Sequence, residues 1–358
     1  MQIIDGQLDL AMNALLWNRD LTQPISAVRA IESGLEAKAR GNSTVSLPQM
    51  REGGIAVCFA AILYRTSSAW QTGSNMDASV QSITYAQARG QLAYYELLES
   101  QGEMRQLKTQ RDLEDHRKAW DADQQKRSPI GYILRIEGAD PILSADMVDE
   151  WWSRGMRSLS LAHFGISSYA HGTGASGGLL TGAAELLNAC ADKGVLIDLT
   201  HLSDESFWEV VGQYPGQVCA SHQNCRALVP GDRQMDDSQL KEIISRKGVI
   251  GTAFKGRSLH ADWPDSLEAT KPPVSVTLNS VVDHISHVCF LAGNTEHAAI
   301  GSDLDGGYGK EETPQEVDTI ADLPKLADAL SERNFSDRDI NNIMSDNWLR
   351  LLNNTLPA

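Results

Sequence analysis

Short apolar runs recur along the chain, and the segments between them place apolar residues three and four apart. The runs lie at about 2–10, 54–63, 131–138, 156–163, 194–201, 216–222, 248–254 and 297–305. Runs of this length, rich in Ile, Val and Leu, predict buried strands. The segments at 140–155, 182–194 and 236–248 carry the helical period instead. Two of them end in Lys-Gly (Lys193-Gly194 and Lys247-Gly248), a helix stop immediately before the next strand. Strand and helix alternate through eight strands. That order predicts an α/β fold with a parallel sheet, and the count of eight favours a closed (β/α)8 TIM-type barrel. An open doubly wound sheet loses ground because no G-x-G-x-x-G follows an early strand.

Two stretches break the alternation. Residues 65–128 are long, polar and helical in pattern, and they form a helical insertion between strands 2 and 3. They lack an apolar core of their own, so residues 1–358 are expected to form one barrel domain. Residues 256–275 carry Pro272-Pro273 and form a long loop after strand 7, in the position of a lid.

Bulk properties narrow the function. The chain has 358 residues, 42% hydrophobic and 22% charged, which is ordinary for a soluble globular protein. A net charge of −16 repels phosphate backbones and anionic lipid, so neither nucleic acid nor membrane is an expected partner. The five cysteines are odd in number, form no C-x-x-C pair and lie mostly in apolar runs. They are expected to be reduced core residues. The first strand leaves no room for a signal peptide, and no apolar stretch reaches 18 residues. A cytoplasmic location is therefore expected.

The chemistry sits where the strands end. Gln7 and Asp9 close the first strand, Glu137 the third, His163 the fourth, His201 the fifth and His222 the sixth, and the eighth carries Asp303 and Asp305. In a barrel these C-terminal ends meet on one face, the face that carries barrel active sites. Each residue alone has a structural explanation as a loop histidine or a turn carboxylate. Together, His201, His222 and Glu137 supply two imidazoles and a carboxylate, a zinc set that leaves one position open. Asp303 can take a proton from activated water, so metal-assisted hydrolysis is the expected reaction class. Other histidines have simpler readings. His284 and His287 share a helix face and are expected at its surface, His297 falls at the wrong end of the barrel, and His116 is expected to be solvated within the insertion. Ser221 is expected to face away from His222, so no Ser–His–Asp triad is read here.

The motifs R-I-E-G-A-D-P, L-I-D-L-T-H-L-S-D, A-S-H-Q-N-C-R-A-L with G-D-R-Q-M-D-D, and I-G-S-D-L-D-G-G, in this order, resemble the renal (membrane) dipeptidase family of the amidohydrolase-type barrels. The resemblance runs over almost the whole chain. It implies a zinc-dependent dipeptidase, often tolerant of a D-residue at the C-terminal position. It implies that Glu137 bridges two zinc ions, that His201 and His222 complete one site, and that Asp9 binds the other. It further implies that Asp303 is the acid/base, that His163 contacts the scissile carbonyl, and that Arg233 grips the substrate carboxylate. The family has D-G-H-x-D where this chain has Asp5-Gly6-Gln7-Leu8-Asp9, so Gln7 replaces a histidine ligand. An amide oxygen ranks below imidazole for zinc, and one well-formed metal site with a weakened second is the expectation. The alternatives are a one-metal amidohydrolase acting on another small amide or ester, and a catalytically weak binding homologue. A small-molecule or dipeptide substrate is the expected partner, and a homodimer is compatible with the sequence.

Overall fold

A computed structural model describes residues 2–67, 76–123, 125–263 and 274–358. Eight parallel strands follow one another around a curl, the first six in one sheet and the last two in a second joined to it by a single bridge: β1 (Ile3–Leu8), β2 (Ile55–Leu63), β3 (Ile130–Glu137), β4 (Met156–Ser160), β5 (Leu196–Asp198), β6 (Val218–Cys219), β7 (Ile250–Thr252) and β8 (Ala298–Ile300). Each pairs with the next in sequence order. Ile4 lies beside Val57, Leu63 beside Glu137, Glu137 beside Ser160, and Ser160 beside Asp198. Asp198 then lies beside Cys219, Ala220 bridges to Ile250, and Ile250 lies beside Ala298. β8 meets β1 through side chains: the Asp5 carboxylate accepts from the Ser302 amide at 2.8 Å and from its hydroxyl at 2.5 Å. All nine residues of β2 and all eight of β3 are buried, as continuous apolar strands covered on both faces must be.

Helices cover the outside of the sheet, among them Gln81–Ser100, Ala183–Lys193, Asp204–Gln213, Asp237–Ser245, Leu278–Ala292 and Asn347–Thr355. Trp348, fully buried, packs against Phe59 at 4.9 Å between ring centroids and donates to the Ile300 carbonyl at 2.8 Å, tying the last helix to β8. Residues 65–128 contain the helices Gln81–Ser100 and Gln110–Ala122 and a short strand, Met104–Gln106, that pairs with the start of β3. Leu92, Tyr95 and Leu98 from this stretch are buried in the common core.

At His116, His284 and Ser221 the structure departs from the sequence expectation. His116 is buried, not solvated: its Nε2 meets the Ala56 carbonyl at 2.8 Å, in space left by Gly131. His284 is likewise buried, because it falls between Val281, Ile285 and Val288 on the inner face of its helix, where its Nδ1 accepts from the Cys225 amide at 3.0 Å. Ser221 turns inward and meets His222 Nδ1 at 2.8 Å, with consequences described below. All five cysteines are free thiols, four buried and Cys289 half-buried. No helix among the described residues is long and apolar enough to cross a membrane. Residues 264–273 of the expected lid, Pro272 and Pro273 among them, lie outside the described residues, and its start forms a short helix, Gly256–Leu259.

The last strands approach so closely that side chains are excluded. A Cβ on Gly301 would lie 1.8 Å from the Ser221 carbonyl oxygen. Backbone on both sides cannot move aside, so Gly301→Ala is expected to cost at least about 2 kcal/mol. Gly212→Ala, where a Cβ meets nothing within 4 Å on the helix Asp204–Gln213, should instead stabilise by roughly 0.5–1 kcal/mol. Thermal unfolding of the two variants checks the pair, and equal melting temperatures would contradict the barrel packing.

Candidate functional site

A cavity of about 160 Å³ opens at the C-terminal ends of the strands. Asp9, Glu137, His163, His201, His222 and Asp303 all line it, although up to 294 positions separate Asp9 from Asp303. Arg233 lies at the same opening. Gln7 sits directly beneath, fully buried. Asp305, read with Asp303 from the sequence, turns away: its carboxylate accepts from Ser43, Thr44 and Val45 and lies 3.3 Å from Arg19 Nη1, a structural role.

At the centre, Glu137 Oε1 lies 3.4 Å from His222 Nε2, 3.6 Å from His201 Nε2 and 4.0 Å from His163 Nε2. Ligand atoms of Glu137, His163 and His201 all fall within 4.8 Å of one another, a grouping able to hold a metal ion. Hydrogen bonding at the far nitrogens separates the three imidazoles. The Thr173 hydroxyl donates to the His201 carbonyl, so its oxygen is free to accept from His201 Nδ1 at 3.1 Å. The Ser221 hydroxyl donates to Asp198 at 2.6 Å and accepts from His222 Nδ1 at 2.8 Å. Both imidazoles are therefore protonated at Nδ1 and present Nε2 lone pairs, the state of a metal ligand. Those two Nε2 atoms face each other at 3.1 Å. Two lone pairs at that distance repel each other, and a cation beside them would relieve the repulsion. Burial pushes both groups well below the usual histidine range, with Arg233 adding to the effect, so a proton is a poor candidate. His163 differs: its Nδ1 faces the Arg65 guanidinium at 3.3 Å, which can only donate, so its proton sits on Nε2 and points into the cavity. That makes His163 a hydrogen-bond donor at the site, not a third imidazole ligand.

The backbone is bent to place these groups. His201 has φ 70° and Asp303 φ 57°, left-handed conformations that cost non-glycine residues energy and recur at functional sites. The carboxylates crowd one another. Burial, then Glu137 and Asp303, hold Asp9 well above the usual range, and burial raises Glu137 against the opposing pull of Arg135. Asp303 is pushed up to about 7, chiefly by burial, with Lys255 opposing. The centre carries negative charge that a divalent cation would offset. Donor types, lone-pair directions and charge all fit one metal ion held by His201, His222 and Glu137.

Several contributors carried no sequence signal. Gln223 accepts from Arg233 Nη1 at 3.0 Å while Arg233 Nη2 donates to the His222 carbonyl at 2.9 Å, which fixes the guanidinium at the cavity edge. Lys255 lies over the Tyr308 ring at 4.9 Å and lines the same cavity. Arg135 lies under the carboxylates with its Nη2 2.6 Å from Asp198.

A sequence model of the membrane dipeptidase family, peptidase family M19, matches residues 1–356. The chain belongs to this family. Among curated relatives, an uncharacterized protein of the pqqA 5′ region of Klebsiella pneumoniae is 29% identical over 177 residues, covering 49% of this chain and 61% of that protein. The dipeptidase verJ of Clonostachys rogersoniana is 28% identical over 228 residues, covering 62% of this chain and 55% of the relative. These matches thus span little more than half the length of either relative. A metallopeptidase of Rhodobacter sphaeroides, solved with a phosphinate mimic of L-Ala-D-Ala, superposes with a TM-score of 0.77 at 21% identity and covers 99% of both chains. The M19 membership and this likeness establish the TIM-barrel fold.

Proposed function

We propose that this member of the membrane dipeptidase family hydrolyses dipeptides, using a zinc ion held by His201, His222 and Glu137. The observation that carries the reading is the pair of Nε2 lone pairs facing each other at 3.1 Å beside Glu137, on the floor of a cavity with an arginine at its edge. Two nitrogens and one carboxylate with an open position are a catalytic zinc set. When bound, the metal supplies Lewis acidity that polarises the scissile carbonyl and makes water nucleophilic near neutral pH. His163 then donates a hydrogen bond from its Nε2–H to the carbonyl oxygen as charge builds there, keeping its proton. Asp303 accepts the proton of the attacking water and returns it to the leaving amine. Arg233, held by Gln223 and the His222 carbonyl, keeps N–H groups free for the substrate's terminal carboxylate.

The cavity size supports a small substrate, since about 160 Å³ is well below the roughly 300–1,000 Å³ of drug-sized sites. The phosphinate mimic bound by the Rhodobacter sphaeroides protein makes a D-residue at the second position the first candidate here. Five free thiols fit a reducing compartment, and we place the protein in the cytoplasm. Metal analysis followed by turnover of matched L,L and L,D dipeptides tests the reading. A metal-free protein that stays inactive on both sets after zinc addition would sink it.

The clamp has its own test. Arg233→Met is expected to lower kcat/KM for dipeptides by about thirtyfold, on the order of 2 kcal/mol. Dipeptide amides, which lack the carboxylate, should lose far less. Equal losses on acids and amides would make Arg233 a support for Gln223 and not a substrate contact.

A further inference from the structure

Around the second metal position that the family implies, the residues do not fit a metal. We propose that this position is closed by the chain itself: the Gln7 amide nitrogen takes the place between the carboxylates, and the Arg135 guanidinium beneath it supplies the positive charge. The centre would then work with one exchangeable metal and one built-in organic cation. This inference rests on the one-metal reading above and explains why it is one.

The geometry fixes which way the amide points. Gln7 Nε2 donates to Glu137 Oε2 at 2.5 Å and to Asp9 Oδ1 at 3.3 Å. Gln7 Oε1 accepts from Arg135 Nη1. Carboxylates can only accept and a guanidinium can only donate, so the opposite orientation would set oxygen against oxygen and N–H against N–H. An amide nitrogen has no lone pair to offer a metal. It stands between the two carboxylates that a second ion would need, and Glu137 is divided: Oε1 faces the histidines while Oε2 is held by Gln7.

Arg135 is placed to carry the charge. Its side chain is wholly buried, with Nη1 3.8 Å from Glu137 Oε2 and 2.9 Å from the Ser221 hydroxyl. Its Nη2 lies 2.6 Å from Asp198 and 3.2 Å from the Ser160 hydroxyl. Asp198 and Ser221 are also the groups behind His222 Nδ1, so the guanidinium and the metal-binding imidazole share one hydrogen-bond chain. The arrangement follows from strand periodicity. Gln7 precedes Asp9 by two and Arg135 precedes Glu137 by two, so each pair points inward on its strand. The two carboxylates meet at the cavity, and the amide and guanidinium meet one layer below. Arg135 is therefore a positioning residue, and Gln7 is more than a poor ligand. Gln7→His alone would set an imidazole against the Arg135 donors.

Zinc stoichiometry by equilibrium dialysis, with circular dichroism as a fold check, tests this on wild type, Gln7→His, and Gln7→His/Arg135→Met. About one tight zinc per chain is expected for wild type and for Gln7→His, rising to about two in the double variant. A merely structural Arg135 could not raise the metal count when removed. Two tight zinc ions in wild type, or a second one gained by Gln7→His alone, would overturn the inference. Should the double variant not fold, the wild-type and Gln7→His counts still decide. No tight zinc in wild type would overturn the metallohydrolase reading instead.

Discussion

His201→Ala and His222→Ala are each expected to lower kcat/KM for dipeptides by at least about 10⁴-fold while the barrel stays folded. The size follows from what each imidazole supplies. With one removed, the centre keeps a single nitrogen and Glu137, too few donors to hold a catalytic zinc tightly. The loss is therefore of the metal itself. The residues behind the ligands should do less. Thr173→Val and Ser221→Ala remove the acceptors at Nδ1 that set the tautomers, and outer-shell changes of this type cost roughly 10–100-fold. The fold should survive because both histidines sit at strand ends beside a cavity, away from the packed layers under β2 and β3. Zinc content, circular dichroism and turnover on the same preparations check the prediction. A folded His222→Ala protein with wild-type turnover and no added metal would refute the assignment.

Much of the site was legible because a barrel turns sequence order into a ring. Once eight strands are read, the residues that end them must share a face, and Asp9, Glu137, His163, His201, His222 and Asp303 do line one cavity. What the pattern could not show was the layer beneath. Arg135 and Asp198 lie within apolar strands, where a charged residue gives no hint of its partner until the sheet is closed. Ser221 departs from the expected alternation because β6 is only two residues long and ends at Cys219, so Ser221, two residues later, is free to turn inward. The burial of His116 and His284 is not legible in the sequence for a related reason: each imidazole is satisfied by a single backbone group, and burial of that kind leaves no mark on polarity. The glutamine at position 7 was visible as a departure from the family motif, but the direction of its amide depends on an arginine 128 residues away.

Asp303→Asn is expected to lower kcat by on the order of 10³-fold and to remove the acid limb of the pH profile. Asp303 follows β8 in a left-handed conformation and lines the same cavity as the imidazoles. Among the described residues no hydrogen-bond donor holds that carboxylate, so it is available to water. Room for it depends on Gly306, where a Cβ would lie 2.0 Å from Asp303 Oδ1. Burial pushes Asp303 up to about 7, against the opposing influence of Lys255 and Arg233. A base must be ionised to accept a proton, so activity should fall as pH drops through its pKa. A bound divalent cation favours the ionised form, which places the limb at or below about 7. Asparagine keeps the shape and can donate, but it cannot take a proton from water, so the variant should bind zinc and substrate normally and turn over slowly across the whole range. Lys255→Met should move the limb upward, because it removes the strongest influence holding Asp303 down. Steady-state profiles of wild type and both variants, on one dipeptide at saturating zinc, separate these effects. An Asp303→Asn protein that retains most of the wild-type kcat with an unchanged limb would show that another group moves the proton.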